Sequence, residues 1–315
     1  MNINIIDADT LGNDLDFSLF EKYGKLTVYG MTAPEQAEEH IKDADVIIVN
    51  KVRLNEYNLC TAAKLKLICI AATGFDNVDM DYCRRRGIGV CNVKGYSTDS
   101  VAQLTAALAL SLVMHLPLSD KYVKDGSYTK SGVQNCLTPV FHEISGMTWG
   151  IVGMGNIGRK TAEIAGALGA EVIAYSRTRH DDFEYTDIDD LCRRSDIISV
   201  HIPLNDGTYN LINREHIALM KKNAVFINVA RGAVADEAAL TEAVLENRIG
   251  GLAVDVYSKE PLSEDSPYNR ILDRDNVIFT PHMAWGTYEA RTRCMREIAE
   301  NIRAFFEGEK RNRIV

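Results

Sequence analysis

Three polar residues in the second half of the chain follow apolar segments that read as β-strands. Arg231 comes directly after residues 226–230, Glu260 lies just beyond 253–257, and His282 follows 277–281. In α/β proteins, active-site groups sit at the carboxyl ends of parallel strands. Arg231, Glu260 and His282 are therefore candidates for a catalytic site.

These residue types suit the reduction of a 2-keto acid. That reaction needs a cation for the carboxylate, a proton donor for the carbonyl oxygen and a hydride source held at the carbon. Arg231 and His282 supply the first two, and a glutamate such as Glu260 would stabilise a protonated imidazole. Each residue also has a purely structural alternative, and for an isolated histidine that alternative is favoured.

A glycine-rich loop supplies a place for the hydride source. The sequence Gly153-Met154-Gly155-Asn156-Ile157-Gly158 directly follows an apolar strand and precedes a helical run, and a second strand follows at 171–175. This βαβ context is what a dinucleotide-binding site requires. Gly153 allows a tight turn, Gly155 lets backbone amides approach a pyrophosphate, and Gly158 lets helix and strand pack closely.

The residues after the second strand favour NADP(H) over NAD(H). An acidic residue that would bind the ribose hydroxyls is expected there, but the chain has Ser176-Arg177-Thr178-Arg179. Guanidinium groups hold a 2′-phosphate through charge-assisted hydrogen bonds, which an aspartate would repel. NAD(H) remains possible, because the arginines could simply lie on a solvated loop.

Short apolar runs alternate with helical patterns along the chain, which is typical of parallel sheets wrapped by crossover helices. The first series predicts strands at 3–7, 26–29, 46–50, 67–71 and 89–92, with helices around 34–42, 55–64 and 79–87. The second series predicts strands at 149–152, 171–175, 196–200, 224–228, 252–256 and 277–280. A buried helix at 101–116 is the candidate connector, and an amphipathic helix is predicted at 288–308.

Composition limits the class of protein. A chain of 315 residues exceeds the usual size of one hydrophobic core, so two domains are expected. The net charge of −9 argues against nucleic acid as the main partner. Seven scattered cysteines, none in a CxxC pair, suggest neither a disulfide framework nor a metal site. No segment approaches the roughly eighteen apolar residues of a membrane span, and no leader is recognisable, so a cytoplasmic protein without a membrane partner is expected.

Four segments in register resemble the successive signatures of the D-isomer-specific 2-hydroxyacid dehydrogenases, and the resemblance runs over essentially the whole chain. They are the glycine loop 153–158, Asn228-Val229-Ala230-Arg231-Gly232, Asp255-Val256-Tyr257-Ser258-Lys259-Glu260-Pro261 and Thr280-Pro281-His282-Met283-Ala284-Trp285.

The resemblance implies a role for each matching residue. Arg231 would anchor the substrate carboxylate, His282 would be the acid/base that meets both substrate and cofactor, and Glu260 would be its partner. Asp255 would contact the nicotinamide amide. Further cofactor contacts are implied at Asn156, Ile157, His201, Pro203, Thr208, Ala230 and Ala284, in addition to Ser176, Arg177 and Thr178 after the second strand, and substrate contacts at Thr73 and Gly74 in the loop 72–79.

The family architecture is α/β with two doubly wound parallel-sheet domains. The resemblance implies a flavodoxin-like substrate domain formed by 1–98 and 285–315, with a Rossmann cofactor domain, 99–284, inserted into it. Hinges would lie near 96–100 and 283–286, and closure would exclude water. A homodimer formed through the cofactor domain is also implied, with 128–141 as the arm.

The segment 95–103 is similar to that of the glycerate dehydrogenase and hydroxypyruvate (glyoxylate) reductase branch, which favours hydroxypyruvate or glyoxylate as substrate. D-lactate dehydrogenase is an alternative. D-3-phosphoglycerate dehydrogenase is a less favoured alternative, because this segment matches it less well and because the chain ends before any appended regulatory domain. A cofactor-sensing binding protein, as in the corepressors that resemble these enzymes, is the alternative of another class, although no low-complexity tail supports it.

Overall fold

The computed structural model describes all residues from Met1 to Val315. The chain divides into two compact units, Met1–Ser97 with Trp285–Val315, and Thr98–Ala284. The second unit begins at Thr98, one residue before the boundary expected from the sequence. The helices are α1 Ala37–Ile41, α2 Glu56–Leu59, α3 Met80–Arg86, α4 Thr98–Val113, α5 Leu116–Lys124, α6 Ser127–Ser131, α7 Asn156–Ala167, α8 Ile188–Arg194, α9 Arg214–Leu219, α10 Glu237–Leu245 and α11 Tyr288–Phe306.

The first unit contains a five-stranded parallel sheet. Its strands are β1 Asn2–Ile5, β2 Lys25–Val28, β3 Val46–Val49, β4 Leu67–Ile70 and β5 Gly89–Cys91, in the order β2-β1-β3-β4-β5. This is the flavodoxin-like order. The central strands β3 and β4 are buried at every position, as expected for strands that are apolar on both faces.

Helix α11 packs on the first unit's sheet. Cys294, Ile298 and Ile302 are buried in one core cluster with Leu67 and Cys69 of β4. The amphipathic helix predicted at 288–308 is therefore confirmed, and the sheet that it covers is identified.

The second unit contains a seven-stranded parallel sheet. Its strands are β6 Thr148–Val152, β7 Glu171–Tyr175, β8 Glu184–Tyr185, β9 Ile197–Val200, β10 Val225–Asn228, β11 Gly251–Val254 and β12 Val277–Phe279. The order β12-β11-β10-β9-β6-β7-β8 reverses between β6 and β9. That is the Rossmann arrangement, whose ligands bind at the reversal point. The predicted fold class is confirmed.

The helix predicted at 101–116 is wrong at its end. Helix α4 stops at Val113, and α5 starts at Leu116 after His115, whose φ of 50° is left-handed. Pro117 explains why α4 cannot continue, because a proline has no N–H to donate to Val113 O and its ring would clash with that carbonyl, whereas the first turn of α5 tolerates it.

Two predicted helices of the first unit are shorter than expected. The helix predicted at 55–64 is capped by Asn55 but ends at Leu59, and that predicted at 34–42 starts as the 3-10 turn Pro34–Gln36 before α1. No single helix is long and apolar enough to cross a membrane; α4 and α5 pass that test only together, as a pair bent by 61°.

Candidate active site and cofactor site

The predicted glycine loop lies where β6 ends and α7 begins. Gly153 has a φ of 102°, a conformation that favours glycine, and its amide donates to Tyr175 O at 2.8 Å. A Cβ on Gly158 would lie 1.9 Å from Gly153 O. The tight turn at Gly153 and the close packing at Gly158 that the sequence analysis predicted are therefore present.

The amino end of α7 is open to an anion. Its N-cap, Gly155, supplies no side chain to the first amides, and the first turn holds no acidic residue. A Cβ on Gly155 would meet nothing within 4 Å, while Ile157 is partly exposed. Helix amides without side-chain partners attract negative charge, so a pyrophosphate fits this position.

The serine and arginines lie next to this loop. Ser176 follows Tyr175, whose carbonyl oxygen accepts a hydrogen bond from the Gly153 amide. Arg177 and Thr178 are exposed, and neither Arg177 nor Arg179 forms an ion pair. No carboxylate occupies 176–178, where an NAD-binding acid would stand. The segment therefore brings two arginines without ion-pair partners to the end of β7.

The end of β9 completes the other side of the loop. The His201 amide donates to Val152 O at 2.8 Å. Beyond it, the Thr208 hydroxyl donates to Pro203 O at 2.6 Å and accepts from the Asn205 amide at 2.8 Å. The structure thus brings His201 beside the end of β6, and Thr208 holds the turn that follows Pro203.

A buried polar chain that the sequence did not predict fixes the His201 ring. Trp149 Nε1 donates to Ser199 Oγ at 3.0 Å, and Ser199 Oγ lies 3.0 Å from His201 Nε2. The Ser199 hydroxyl thus links the indole to the imidazole, and His201 Nδ1 is buried and has no partner. Burial lowers the pKa of His201 to about 3, so the imidazole is neutral at physiological pH.

This histidine should make stability depend on pH. Between pH 6.5 and 3 the unfolded chain binds a proton at His201 that the folded chain does not, so stability should fall as the pH falls. The stability of the wild type relative to His201→Gln should drop by at most about 1.4 kcal/mol per pH unit in this window. Urea unfolding at pH 7.5 and 5.5 measures this. The same substitution at exposed His142 is the control, and a pH-independent difference for His201→Gln would contradict the assignment.

Arg231 follows β10 and has no acidic partner. Its Nη1 donates to Ala230 O at 2.7 Å, and no carboxylate lies within ion-pair distance. Asn228, which the sequence analysis did not select, holds the turn: its Nδ2 donates to Arg231 O and its Oδ1 accepts from the Ala230 amide. A half-buried guanidinium on a fixed turn is available for an external carboxylate.

Close backbone packing places the Arg231 turn against the segment that carries Glu260. A Cβ on Gly232 would lie 2.1 Å from the carbonyl carbon of Tyr257 and 2.2 Å from Ser258 N. Glu260 Oε1 accepts from the Tyr257 amide at 3.1 Å. Position 232 therefore requires a glycine, because any side chain there would collide with the backbone of the neighbouring loop at 257–258.

His282 and Glu260 form the predicted pair. His282 Nδ1 lies 2.6 Å from Glu260 Oε2, and both side chains are partly exposed, at 24% and 33%. A carboxylate only accepts hydrogen bonds, so the shared proton lies on Nδ1. Nε2 is then the imidazole nitrogen that can exchange a proton with a ligand.

Asp255 holds the turn that carries His282. The φ of His282 is 53°, a conformation that costs about 1–3 kcal/mol in a residue other than glycine. Asp255 is fully buried and accepts from Thr280 Oγ1 at 2.5 Å, the Met283 amide at 2.8 Å and the Ala284 amide at 2.9 Å. Burial raises the pKa of the Asp255 carboxyl, and these hydrogen bonds oppose the shift.

Thr73 and Gly74 belong to the first unit. Thr73 Oγ1 donates to Val93 O at 2.8 Å, and Asn92 Nδ2 donates to Thr73 O at 2.7 Å. The amides of Thr73 and Gly74 donate no hydrogen bond. This loop is therefore held by Asn92 and Val93, with two amide donors unused.

The second unit thus collects most of the predicted site residues at one edge of its sheet. Arg231, Glu260 and His282 follow the neighbouring strands β10, β11 and β12, and the glycine loop follows β6. No group of three or more His, Cys, Asp or Glu side chains is placed to hold a metal ion.

Comparison with known families decides the identity of this arrangement. Residues 106–284 match the NAD-binding domain of the D-isomer specific 2-hydroxyacid dehydrogenases. The chain belongs to this family. It is therefore an oxidoreductase with a nicotinamide-cofactor domain, and the resemblance found in the sequence is confirmed.

Curated members of the family match over most of the chain. A D-3-phosphoglycerate dehydrogenase of Methanocaldococcus jannaschii is 35% identical, over 99% of this chain but only 59% of that protein. A glyoxylate reductase of Thermococcus litoralis is 37% identical over 86% of this chain and 83% of its own. A hydroxypyruvate reductase of Blautia hydrogenotrophica is 33% identical over 98% of both.

Solved structures of similar proteins have the same fold. An acyclic imino acid reductase in complex with NADPH and D-arginine is 30% identical, with a TM-score of 0.87 and 100% coverage of both chains. A D-lactate dehydrogenase from Aquifex aeolicus complexed with NAD and lactic acid is 31% identical, with a TM-score of 0.85, covering 98% of this chain and 96% of that one.

Proposed function

We propose that this dehydrogenase reduces hydroxypyruvate or glyoxylate to the corresponding 2-hydroxy acid, of the D configuration where C2 is chiral, with NADPH as the hydride source. The observation that carries this proposal is the His282–Glu260 hydrogen bond on the same sheet edge as an arginine that has no acidic partner. The relatives named glyoxylate reductase and hydroxypyruvate reductase support the choice of substrate.

The proposed mechanism assigns a task to each side chain. A bound nicotinamide supplies the hydride to C2. Arg231 binds the carboxylate through two parallel hydrogen bonds and orients the carbonyl. His282 Nε2 gives its proton to the carbonyl oxygen as the new C–H bond forms, and Glu260 stabilises the imidazolium before transfer. In the reverse direction His282 Nε2 accepts the hydroxyl proton.

The residues present fit a dinucleotide. The amides at 155–158 would hold the pyrophosphate, Ser176, Arg177 and Thr178 the adenine-ribose end, and the loop with His201, Pro203 and Thr208 the opposite side. Ala230, Ala284 and His282 would border the nicotinamide. The Asp255 carboxylate could contact the nicotinamide amide only through an oxygen that already accepts protein hydrogen bonds. We therefore assign Asp255 first to holding the turn that carries His282.

The preference for NADPH rests on the end of β7. Ser176 and Arg177 stand where an NAD enzyme has a carboxylate, and the related imino acid reductase is described with NADPH. The related D-lactate dehydrogenase is described with NAD, so NADH is the alternative. We expect kcat/KM to be at least about tenfold higher with NADPH, since each lost charge-assisted hydrogen bond costs about 1.5–3 kcal/mol.

Two glycine substitutions should separate cofactor binding from folding. Gly155→Ala adds a methyl group in open space, so it should leave the melting temperature unchanged yet weaken cofactor binding at least about tenfold, because it fills the pyrophosphate position. Gly158→Ala should destabilise the fold by about 1–3 kcal/mol, because the methyl group meets the Gly153 carbonyl. Thermal melts and cofactor titration measure both effects, and unaltered cofactor affinity in Gly155→Ala would contradict the proposed site.

The first unit is proposed as the substrate domain and the second as the cofactor domain. The two unused amides of Thr73 and Gly74 are proposed to bind the substrate carboxylate, because backbone amides on a fixed loop are good donors to anions. Asn92, which holds that loop, was not selected from the sequence. A cytoplasmic location stays a prediction.

A homodimer formed through the second unit is also proposed. The predicted arm, 128–141, exposes apolar side chains along its length, including Val133, Leu137 and Val140 at 59%, 67% and 69%. Apolar patches of this kind mark interaction surfaces. The molar mass in solution tests the proposal, which requires a value near twice 35.0 kDa.

A panel of 2-keto acids tests the proposed substrate. We expect hydroxypyruvate or glyoxylate to give the highest kcat/KM, ahead of pyruvate and 3-phosphohydroxypyruvate, with both reduced cofactors assayed. Highest activity on pyruvate would favour the D-lactate alternative, and on the phosphorylated acid the phosphoglycerate alternative, which the Methanocaldococcus relative supports. Cofactor binding without activity on any acid would favour a cofactor-sensing binding protein.

A further inference from the structure

We infer that Tyr185 is a positioning residue for cofactor selectivity, which holds Arg179 where its guanidinium can bind the 2′-phosphate of NADPH. Tyr185 lies on the two-residue strand β8, where it pairs with Ala174 of β7. Ala174 is two residues before Ser176, so Tyr185 stands beside the start of the selectivity loop, 176–180. The inference rests on the proposed preference for NADPH.

Two contacts join Tyr185 to the selectivity loop. The Arg179 guanidinium carbon lies 5.7 Å from the centroid of the Tyr185 ring, which is within the range of a cation–π interaction. The Tyr185 hydroxyl accepts from the His180 amide at 3.0 Å. Tyr185 thus holds two consecutive residues of the loop: its ring contacts Arg179 and its hydroxyl binds the His180 amide.

The charges around the loop explain why such a hold matters. Asp181 and Asp182 lie two and three residues after Arg179 and are exposed, and no carboxylate pairs with Arg179. Glu184, the other acid nearby, pairs with Arg194 at 2.5 Å. A long, mobile arginine beside two aspartates would readily pair with them. Contact with the Tyr185 ring keeps the guanidinium away from them and leaves its N–H edge open to a phosphate.

Tyr185 does not act as a core residue in this arrangement. It is only partly buried and belongs to the shortest strand, at the sheet edge. Its ring and its hydroxyl both contact the selectivity loop. A change at Tyr185 should therefore affect the 2′-phosphate end of the cofactor more than the folding of the unit.

Titration with two nucleotide fragments tests this inference. The probes are 2′,5′-ADP, which carries the 2′-phosphate, and 5′-AMP, which lacks it. Tyr185→Leu should weaken binding of 2′,5′-ADP about threefold to tenfold, as expected for a lost cation–π contact, and leave 5′-AMP binding unchanged. Tyr185→Phe keeps the ring and should lose at most about twofold. The kcat/KM with NADPH should follow the 2′,5′-ADP affinities, whereas that with NADH should not.

A double substitution separates positioning from general structure. In an Arg179→Met background, Tyr185→Leu should add no further loss of 2′,5′-ADP affinity. Equal loss for both nucleotides, or a persistent loss in the Arg179→Met background, would overturn the role of Tyr185. So would an unchanged 2′,5′-ADP affinity in Tyr185→Leu when the wild type discriminates between the two fragments. A wild type that binds both equally would overturn the NADPH proposal itself.

Discussion

Replacing His282 with alanine is expected to lower kcat about 10²- to 10⁴-fold, the contribution of a positioned general acid. The imidazole lies at the end of β12 with Nδ1 bound to Glu260, so its loss removes the only titratable donor that we place at the carbonyl oxygen. Cofactor affinity should survive, because the glycine loop follows a different strand. Single-turnover reduction and cofactor titration measure the two quantities separately.

His142→Ala is the matched control for this substitution, since His142 is exposed and has no part in the proposed site. Near wild-type turnover in His282→Ala would remove His282 from the mechanism. Equal loss of turnover and of cofactor affinity would instead indicate a collapsed turn at 280–284.

Arg231→Ala is expected to lower kcat/KM for the keto acid at least about 100-fold, through the loss of two charge-assisted hydrogen bonds to the carboxylate. The guanidinium has no acidic partner whose release could compensate. Arg231→Lys keeps the charge but not the planar fork, so it should recover only part of the loss. Cofactor affinity should not change in either variant.

Saturation kinetics distinguish this role from a structural one. A raised KM with an unchanged melting temperature is the expected signature of a lost carboxylate anchor. If kcat/KM in Arg231→Ala equalled that of the wild type, the anchor would have to be another cation.

Much of the fold was predictable because its signals are local. Residues 46–50 and 67–71 are short apolar runs of a length typical of buried strands, and both form central strands. The glycine loop was recognisable because it stands between a strand and a helix, and it is found in that position. The strand order followed from the family resemblance rather than from any local pattern.

The rest depended on contacts between distant residues. The strand β8 has two residues, which are too few for a periodic pattern. Tyr185 was therefore not selected from the sequence. No local pattern indicates that Asp255 binds the backbone at 283–284, or that Trp149, Ser199 and His201 form a hydrogen-bonded chain. Buried polar partners are set by tertiary packing, which no local periodicity reports.

Chiral analysis of the product of hydroxypyruvate reduction tests the central claim most directly. With NADPH in excess, we expect one D-glycerate to form per NADPH oxidised, and no product to form with His282→Ala on the same time scale. Formation of the L isomer would contradict the placement of hydride and proton donors. Tight cofactor binding with no reduction of hydroxypyruvate, glyoxylate or any other 2-keto acid in the panel would contradict the claim that this chain is a reductase.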